Sequence, residues 1–324
     1  MIVSRAPFLA LVVAVAIGGC SSSSGGGGPA QNFIAGFGPP AVAPGFTRYV
    51  TPPVRGIAGG SDTTYCQWLA DGSTADQDAL RVSGTQSKFG HHAVLYATTV
   101  AEPVGTSREC TIDDMLSVRY IGAIGGEGTG SPVLLPDGVA IRLQKGEHIM
   151  ANVHFVNTGA QSIDGQAVVD IAWGVPSPNT QVAAFFTDVA TKFSVPAHGT
   201  FTQEQRCTSQ LDMPFILVGN HMHGFGTSAF TEVIHPDGTK QMIVDDKTWS
   251  SERQFNPHFS SFPVASPLVV HKGDVIHTSC SWMNNGSTPL EFPTEMCAGV
   301  AFYLAPKGTV GQEIHCVDEA WPTP

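Results

Sequence analysis

Five histidines and one methionine stand out in this sequence because their types and spacing suit metal binding. They form two groups, with His91, His92 and His154 in the first and His221, His223 and Met296 in the second. Imidazole binds zinc and copper alike, whereas a thioether is a soft ligand that suits Cu(I) and that zinc seldom takes. Carboxylates near these histidines are too few for a calcium or magnesium site. The residue types therefore favour copper.

Strand geometry indicates how the histidine pairs can each converge on one ion. Residues two apart in a strand point to the same face, so His221 and His223 project together. Adjacent residues point to opposite faces, so His91 and His92 can share an ion only at a strand end or a bulge, which Gly90 permits. Such pairs are also common as ordinary surface or core histidines, so the pairs alone do not establish a site.

His154 belongs to a run in which two kinds of residue alternate. One side of the run carries His148, Met150, Asn152 and His154, and the other carries Ile149, Ala151, Val153 and Phe155. This alternation predicts a strand that lies between a hydrophobic core and a cleft lined by metal-binding side chains.

The elements that carry these residues are predicted to be short strands. Runs of β-branched and aromatic residues recur between turn-forming clusters, at 93–100, 149–156, 166–173, 215–220, 267–270 and 299–304. The chain has 36 glycines and 23 prolines, and no stretch shows a sustained helical period with caps. We therefore expect an all-β fold of the sandwich or jelly-roll type.

A weak internal repeat indicates two similar domains. Residues 145–159 align with residues 272–286 at five identical positions, and each copy reads as a turn, a strand and an exit that contains Asn and ends in Gly. A length of 324 residues accommodates two domains of ordinary size. We expect two tandem antiparallel β-sandwich (jelly-roll) domains, at residues 46–187 and 188–324.

The amino-terminal segment reads as an export signal followed by a tether. An apolar run over residues 8–17 is too short to span a bilayer and leads to Gly-Gly-Cys. This ending resembles a bacterial lipobox, so we expect residues 1–20 to be a lipoprotein signal peptide, with Cys20 as the lipidated residue. An ordinary signal peptide with an incidental Cys is the alternative. Residues 21–45 would be a flexible tether, and the exported protein would contact the membrane, which we expect to be the outer membrane, through its lipid anchor only.

Charge and cysteine content agree with export. The net charge is −11, which argues against nucleic-acid binding because that function requires a basic face. Six cysteines remain once Cys20 is set aside, and this even number predicts three disulfides with fifteen possible connectivities. The sequence contains no CxxC pair, so a zinc ribbon is not supported.

Taken together and in order, the motifs resemble those of a known family. An HH pair, a lone His, an HxH pair and Glu-Met-Cys follow one another between about residues 60 and 318. This order is similar to that of the copper type II, ascorbate-dependent monooxygenases, which include peptidylglycine α-hydroxylating monooxygenase and dopamine β-monooxygenase. The chain would be a bacterial lipoprotein member. The resemblance implies two jelly-roll domains that each carry one copper.

The resemblance also implies a role for each ligand. His91, His92 and His154 would hold an electron-transferring copper, and His221, His223 and Met296 would hold the oxygen-binding, catalytic copper. Such an enzyme has two coppers per chain and uses O2 to hydroxylate a C–H bond of a small-molecule or peptide substrate. Ascorbate or a similar one-electron reductant is its co-substrate. The second electron would cross a solvent-filled cleft between the two coppers.

The six remaining cysteines fit the same resemblance. By the family pattern they would pair as Cys66–Cys110, Cys207–Cys316 and Cys280–Cys297. Every cysteine after Cys20 then has a partner, and the last of these disulfides lies beside Met296.

Several positions that bind substrate in the amidating members of the family carry different residues here. Amidating members have a carboxylate-binding Arg two residues before HxH, where this sequence has Gly219, and an Asn and a Tyr where it has Ala298 and Val300. A Gln two residues before the lone His is replaced by Asn152. A glycine-extended peptide is therefore not the expected substrate.

Three functions remain open at this point. The first is a copper-dependent monooxygenase with an unidentified substrate. The second is a lipoprotein that binds or stores copper without turnover. The third is a catalytically silent surface or adhesion module, against which the complete set of ligands counts.

Overall fold

The computed structural model describes residues 33–111, 114–115, 118–127, 135–254, 257–292 and 294–322. The predicted signal peptide, the predicted lipidation site Cys20 and residues 21–32 of the predicted tether lie outside these ranges. Within them lie twenty-three β-strands and one short 3₁₀ helix, Ser251–Gln254. The all-β prediction is confirmed. No helix in the described ranges is long and apolar enough to cross a membrane.

Strands β1–β11 form the amino-terminal half of the fold. Their bounds are β1 Thr47–Val50, β2 Val54–Ile57, β3 Asp62–Ala70, β4 Gln77–Gln86, β5 Gly90–Thr98, β6 Ser107–Glu109, β7 Val118–Ile124, β8 Val139–Leu143, β9 His148–Val156, β10 Ile163–Gly165 and β11 Ala167–Gly174. One antiparallel sheet has the order β6-β3-β9-β5-β7, and β1-β11-β4-β8 form part of a second sheet. The two sheets pack face to face as a β-sandwich.

The core of this half lies between its two sheets. The face of β9 that the sequence predicts to be apolar is buried there, with Ile149, Ala151, Val153 and Phe155 all 2% exposed or less. Full burial of one such side chain as large as Phe155 contributes about 1.5–3 kcal/mol to folding. The opposite face of β9 is also covered, because Met150 packs with Trp68 and Cys66. His154, near the end of this strand, lines a cavity.

Strands β12–β23 form the carboxy-terminal half. Their bounds are β12 Gln181–Ala190, β13 Ser194–Val195, β14 Gly199–Thr208, β15 Met213–His221, β16 Gly226–Ile234, β17 Lys240–Asp246, β18 Phe259–Ser261, β19 Leu268–Val270, β20 Val275–Asn284, β21 Leu290–Glu291, β22 Cys297–Leu304 and β23 Ile314–Val317. A four-stranded sheet, β14-β20-β16-β17, packs on β12-β22-β15-β18 as a second sandwich. The fold thus consists of two β-sandwich halves, and their jelly-roll topology stays a prediction.

The two halves share one sheet. β8 pairs in parallel with the start of β12, which joins β1-β11-β4-β8 to β12-β22-β15-β18 in one ten-stranded sheet that also includes β19 and β23. A hydrophobic cluster from both halves, with Tyr120 and Ile141 on one side and Ile216 and Phe302 on the other, covers this junction. The boundary predicted between residues 187 and 188 falls inside β12, and the division into two domains stays a prediction.

The two copies of the internal repeat occupy equivalent places in the two halves. β9 is the central strand of the five-stranded sheet, and β20 is an inner strand of the four-stranded sheet. Each is preceded by a turn with a glycine at positive φ, Gly146 at 89° and Gly273 at 96°. Each exit has an Asn side chain that accepts from the backbone N–H of a glycine two residues later, at 3.0 Å for Asn157 and 2.9 Å for Asn284.

Candidate metal centre

The His91–His92 pair lies at a bulge, as the sequence requires for two adjacent histidines to share an ion. The pairing of β5 with β9 shifts register between Gly90 and His92, and His92 then pairs with His154. Gly90 is needed for this turn, because a Cβ on it would lie 2.2 Å from the Cβ of Gln86. The bulge turns both rings toward one point, where the two Nδ1 atoms are 2.8 Å apart.

His154 completes a three-histidine set with this pair. Its ring centroid lies 4.5 Å from that of His91 and 5.0 Å from that of His92, and one ring nitrogen from each residue lies within 4.8 Å of the other two. The 2.8 Å contact between the two Nδ1 atoms is a hydrogen bond between the rings, and two nitrogens that bind one ion at about 2.0 Å each lie about 2.8–3.3 Å apart, depending on the angle at the metal. The separation of the two Nδ1 atoms therefore fits a shared metal ion.

Burial keeps the His91 and His92 imidazoles neutral. His91 and His154 are 6% and 7% exposed. Burial lowers the pKa of His91 to about 4 and lowers the pKa of His92 well below its ordinary value. Neutral imidazole is the form that binds metal, so at neutral pH the lone pairs of this pair are available without the loss of a proton to solvent.

Asp62 contacts this set, although sequence reasoning did not identify it. His154 Nε2 lies 2.5 Å from Asp62 Oδ1, and this hydrogen bond lowers the pKa of the Asp62 carboxyl. A carboxylate that accepts from Nε2–H leaves Nδ1 of the same ring as the metal-binding nitrogen. Asp62 meets His154 through the pairing of β3 with β9, which no local sequence pattern indicates.

The HxH pair lies at the end of β15. His221 is the last residue of that strand, and the ring centroids of His221 and His223 are 5.3 Å apart. Met222, between them, is fully buried in the core with Trp249 and Trp282, so the alternation that the sequence predicts continues past the strand end. Burial lowers the pKa of His221 to about 3 and also lowers that of His223.

Met296 is placed beside this pair by strand register. β22 begins at Cys297, and His221 pairs with Ala298 across the β15–β22 ladder. The ring of His223 reaches the segment that precedes β22, with its Nδ1 2.9 Å from the carbonyl oxygen of Thr294. The sequence-predicted ligands of the second group are therefore brought to one end of the β15–β22 pair.

Glu295 makes several hydrogen bonds at this end of the sandwich. From the sequence it was noted only as part of the Glu-Met-Cys motif. Its side chain is fully buried. Its Oε2 accepts from the backbone N–H of His223 at 3.0 Å and from the indole N–H of Trp282 at 2.9 Å, and its Oε1 accepts from the backbone N–H of Phe225 at 2.7 Å. A longer contact of 3.4 Å joins Oε2 to the backbone nitrogen of Met296. One carboxylate thus links the HxH turn to the methionine.

The two ligand groups lie next to each other. The ring centroids of His91 and His223 are 5.7 Å apart. A cavity of about 370 Å³ opens onto both groups, and its lining includes Asp62, His91, His154 and His223. The resemblance implies a solvent-filled cleft between two separate copper sites, whereas here the two groups contact each other at the cavity wall.

The donor atoms of the two groups fit copper. Five imidazoles and one thioether are ligands that Cu(I) and Cu(II) accept, and a thioether is unusual at a zinc site. Asp188, Cys207 and Cys316 also lie close enough together to hold an ion, but both cysteines are in a disulfide and have no thiolate to offer. His91, His92 and His154, together with His221, His223 and Met296, are therefore the candidate copper ligands.

Three disulfides support these positions. They are Cys66–Cys110, Cys207–Cys316 and Cys280–Cys297, the pairings that the family resemblance implies. The first joins β3 to the segment after β6, and the last fixes the start of β22 directly after Met296.

Comparisons with known proteins give distant likenesses. No protein-family model matches the chain, and no curated protein matches it. The structure of PNGase F, a glycosylasparaginase from Flavobacterium meningosepticum, aligns with 80% of this chain and 96% of its own, at 10% identity and a TM-score of 0.37. The VP54 protein of PBCV-1 aligns with 82% of this chain and 94% of its own, at 7% identity and a TM-score of 0.31. Likenesses this weak carry no argument about function.

Proposed function

We propose that the chain is a dicopper monooxygenase that uses O2 and an ascorbate-like reductant to hydroxylate a C–H bond of a substrate. The observation that carries this proposal is that two neighbouring groups of histidines meet at one cavity, which His91 and His154 line from the first group and His223 from the second. His91, His92 and His154 would hold one copper, and His221, His223 and Met296 the other. Bound copper would supply one-electron redox chemistry and oxygen activation.

The surrounding residues would hold the ligands for that chemistry. Asp62 orients His154 through its hydrogen bond to Nε2. Glu295 holds the backbone of the HxH turn and that of Met296 in one network. Both contacts fix the ligands before a metal binds, which reduces the cost of ordering them. Phe89 and Phe225 line the cavity and give it apolar surface for an organic substrate.

The cavity is not built for the carboxylate of a glycine-extended peptide. Gly219 occupies the position where amidating members of the family have an Arg, and it lies inside β15 between β18 and β22. A Cβ at this position would lie 2.9 Å from the carbonyl oxygen of His258, so a long side chain does not fit. We therefore propose a small molecule or side chain without a free carboxylate as the substrate.

The replacement of Met296 by His tests the proposed monooxygenase activity. We expect the wild type to bind two coppers per chain and to consume O2 with ascorbate. Met296→His should keep copper, because imidazole is also a good ligand, while ascorbate-driven O2 consumption falls by more than about tenfold because a third imidazole favours Cu(I) less than sulfur does. Metal analysis and an oxygen electrode measure the two properties. Met150→Leu is the control, since Met150 packs in the core.

Copper storage without turnover is the alternative function. It predicts the same two coppers per chain but no O2 consumption by the wild type with any reductant. It also predicts no difference in oxygen reactivity between the wild type and Met296→His. One zinc and no copper in the purified protein would contradict both functions.

A further inference from the structure

The five histidines form one continuous cluster rather than two separate sets. Ring centroids are 4.5 Å apart for His91 and His154, 5.7 Å apart for His91 and His223, and 5.3 Å apart for His223 and His221. The 5.7 Å step between the groups is thus nearly as short as the steps within them. His91 is the member that joins the two groups.

Contacts between the halves hold this arrangement at several separate points. Gln254, in the 3₁₀ helix of the carboxy-terminal half, hydrogen-bonds the side chain of His91. Far along the same junction, Glu313 accepts from the backbone N–H of Tyr120 at 2.5 Å. The β8–β12 pairing and a shared hydrophobic cluster lie between the halves as well. The contact of His91 with His223 therefore belongs to a packed junction and is not the chance approach of two loops.

The cavity gives both groups access to the same external ligand. His91 and His154 line it from one half, and His223 and Thr294 line it from the other. A small anion that enters the cavity therefore meets histidines of both groups. In proteins, two metal ions about 3.5–4 Å apart commonly act together on one bound ligand.

We propose that the two ligand groups form a single dinuclear copper centre, in which the two ions share a bridging small anion supplied through the cavity. This inference rests on the proposed copper function and goes beyond it, because the family resemblance implies two isolated coppers on either side of a cleft. His91 and His223 are the residues that bring the two ions together.

Electron paramagnetic resonance of the Cu(II)-loaded protein tests this centre without any turnover. The first equivalent of Cu(II) should give close to one spin per copper. The second should lower the integrated signal per copper, because neighbouring Cu(II) ions that share a bridge couple magnetically. Azide added as the bridging anion should change the signal of both ions together. X-ray absorption should then show copper–copper scattering at about 3.5–4 Å.

Two variants complete the test. The double variant His221→Ala/His223→Ala should bind one copper that keeps its full spin, with circular dichroism used to show that it is folded. His271→Ala is the control, because its side chain is exposed and lies outside the cluster, and it should retain the coupled signal. Two bound coppers with full, independent spins would overturn the dinuclear centre and leave the dicopper enzyme standing. A single bound copper with a full spin would overturn both proposals. Failure to bind copper at all would overturn both proposals.

Discussion

The Glu295 carboxylate is held by three N–H groups from two other parts of the chain, the HxH turn and β20. The backbone of His223, the indole of Trp282 and the backbone of Phe225 all donate to it. A buried acceptor of this kind is costly to disturb, since loss of its bonds leaves donors unsatisfied in the interior. The residue that precedes Met296 therefore positions both the methionine and the histidine turn.

Replacement of Glu295 by Gln should weaken the second ligand group while leaving the fold intact. The amide nitrogen of Gln would face backbone N–H groups that now donate to a carboxylate oxygen. The HxH turn and Met296 would therefore lose some of the hydrogen bonds that connect them through residue 295. We expect the copper affinity of this group to fall by about 10- to 100-fold, as is typical when a residue that supports metal ligands is changed. Competition with a chromophoric chelator measures the affinity, and sulfur scattering in X-ray absorption reports Met296.

Glu291→Gln is the matched control for this substitution. Glu291 is exposed in β21 and connects to Glu295 through its backbone carbonyl. Its replacement should leave copper affinity unchanged. An unchanged affinity in Glu295→Gln would show instead that the carboxylate plays no part in placing the ligands.

The spacing of the histidines indicates the candidate ligands, but not the residues that contact them. HxH in a strand and HH after a glycine each have a geometric meaning that can be read locally. Asp62 lies ninety-two residues from His154, and their contact depends on the register of β3 against β9. The contact of His91 with His223 depends in turn on how the two halves pack. Such long-range placements have no local sequence signal.

At the scale of single elements, the bulge at the start of β5 is the feature on which the first ligand group depends. In a regular strand His91 and His92 would point to opposite faces. The register shift after Gly90 turns both toward His154. The side chain of Gln86 fills the space beside Gly90 and donates to the carbonyl of His154 at 3.3 Å, so the bulge and the third ligand share one neighbour.

Gly90→Ala should therefore damage this group in particular. The new methyl group would lie 2.2 Å from the Cβ of Gln86, and either the bulge or Gln86 must move. We expect a loss of about 1–3 kcal/mol in the free energy of unfolding, the usual cost of an overpacked interior, together with weaker copper binding by His91, His92 and His154. Urea denaturation and copper titration measure the two effects.

Gly38→Ala is the control for added bulk at a glycine. A Cβ on Gly38 has open space around it, so stability and copper binding should stay at the wild-type level. Equal behaviour of the two variants would mean that the bulge tolerates a side chain and that its geometry is not set by Gly90.

The repeat shows how much of an element can be predicted from sequence. Residues 145–159 and 272–286 were aligned on a turn, a strand and an exit, and β9 and β20 with their flanking turns have this form. The turn glycines and the exit asparagines are local features with local causes. Which strands flank β9 and β20 is a matter of tertiary packing, and the repeat does not determine it.

At the scale of the whole molecule, the interior carries two buried carboxyl groups, Asp188 inside the carboxy-terminal half and Glu313 at the junction between the halves. Asp188, in β12, is fully buried, and burial raises its pKa to about 7. Burial raises the pKa of Glu313 to about 8. Each group has a higher pKa in the folded state than in the unfolded chain, where the ordinary values are 3.8 and 4.5. The folded state therefore holds protons that the unfolded state has already released.

The sign of the resulting pH dependence follows from this difference. Stability from a raised carboxyl pKa is present below the unfolded pKa and is lost as pH rises to the folded pKa. His91, His92 and His221 act in the opposite direction, because their lowered pKa values make the metal-free protein more stable as pH rises toward about 6.5. Above that pH the histidine contribution is complete, and the two carboxyl groups determine the slope.

The metal-free protein should therefore lose stability between about pH 6.5 and pH 8. Urea denaturation at several pH values in this range measures the free energy of unfolding.

Glu313→Gln should remove most of the decline in stability, since the amide oxygen can still accept from the backbone N–H of Tyr120 and no charge forms at high pH. Asp188→Asn should reduce the dependence of the free energy of unfolding on pH near pH 7. Glu109→Gln is the control, because Glu109 is exposed on β6, and it should retain the wild-type profile. A wild-type profile that is flat or rises over this range would contradict the burial of ionisable carboxyl groups at Asp188 and Glu313, because such groups must lose their protons in the folded state as the pH increases.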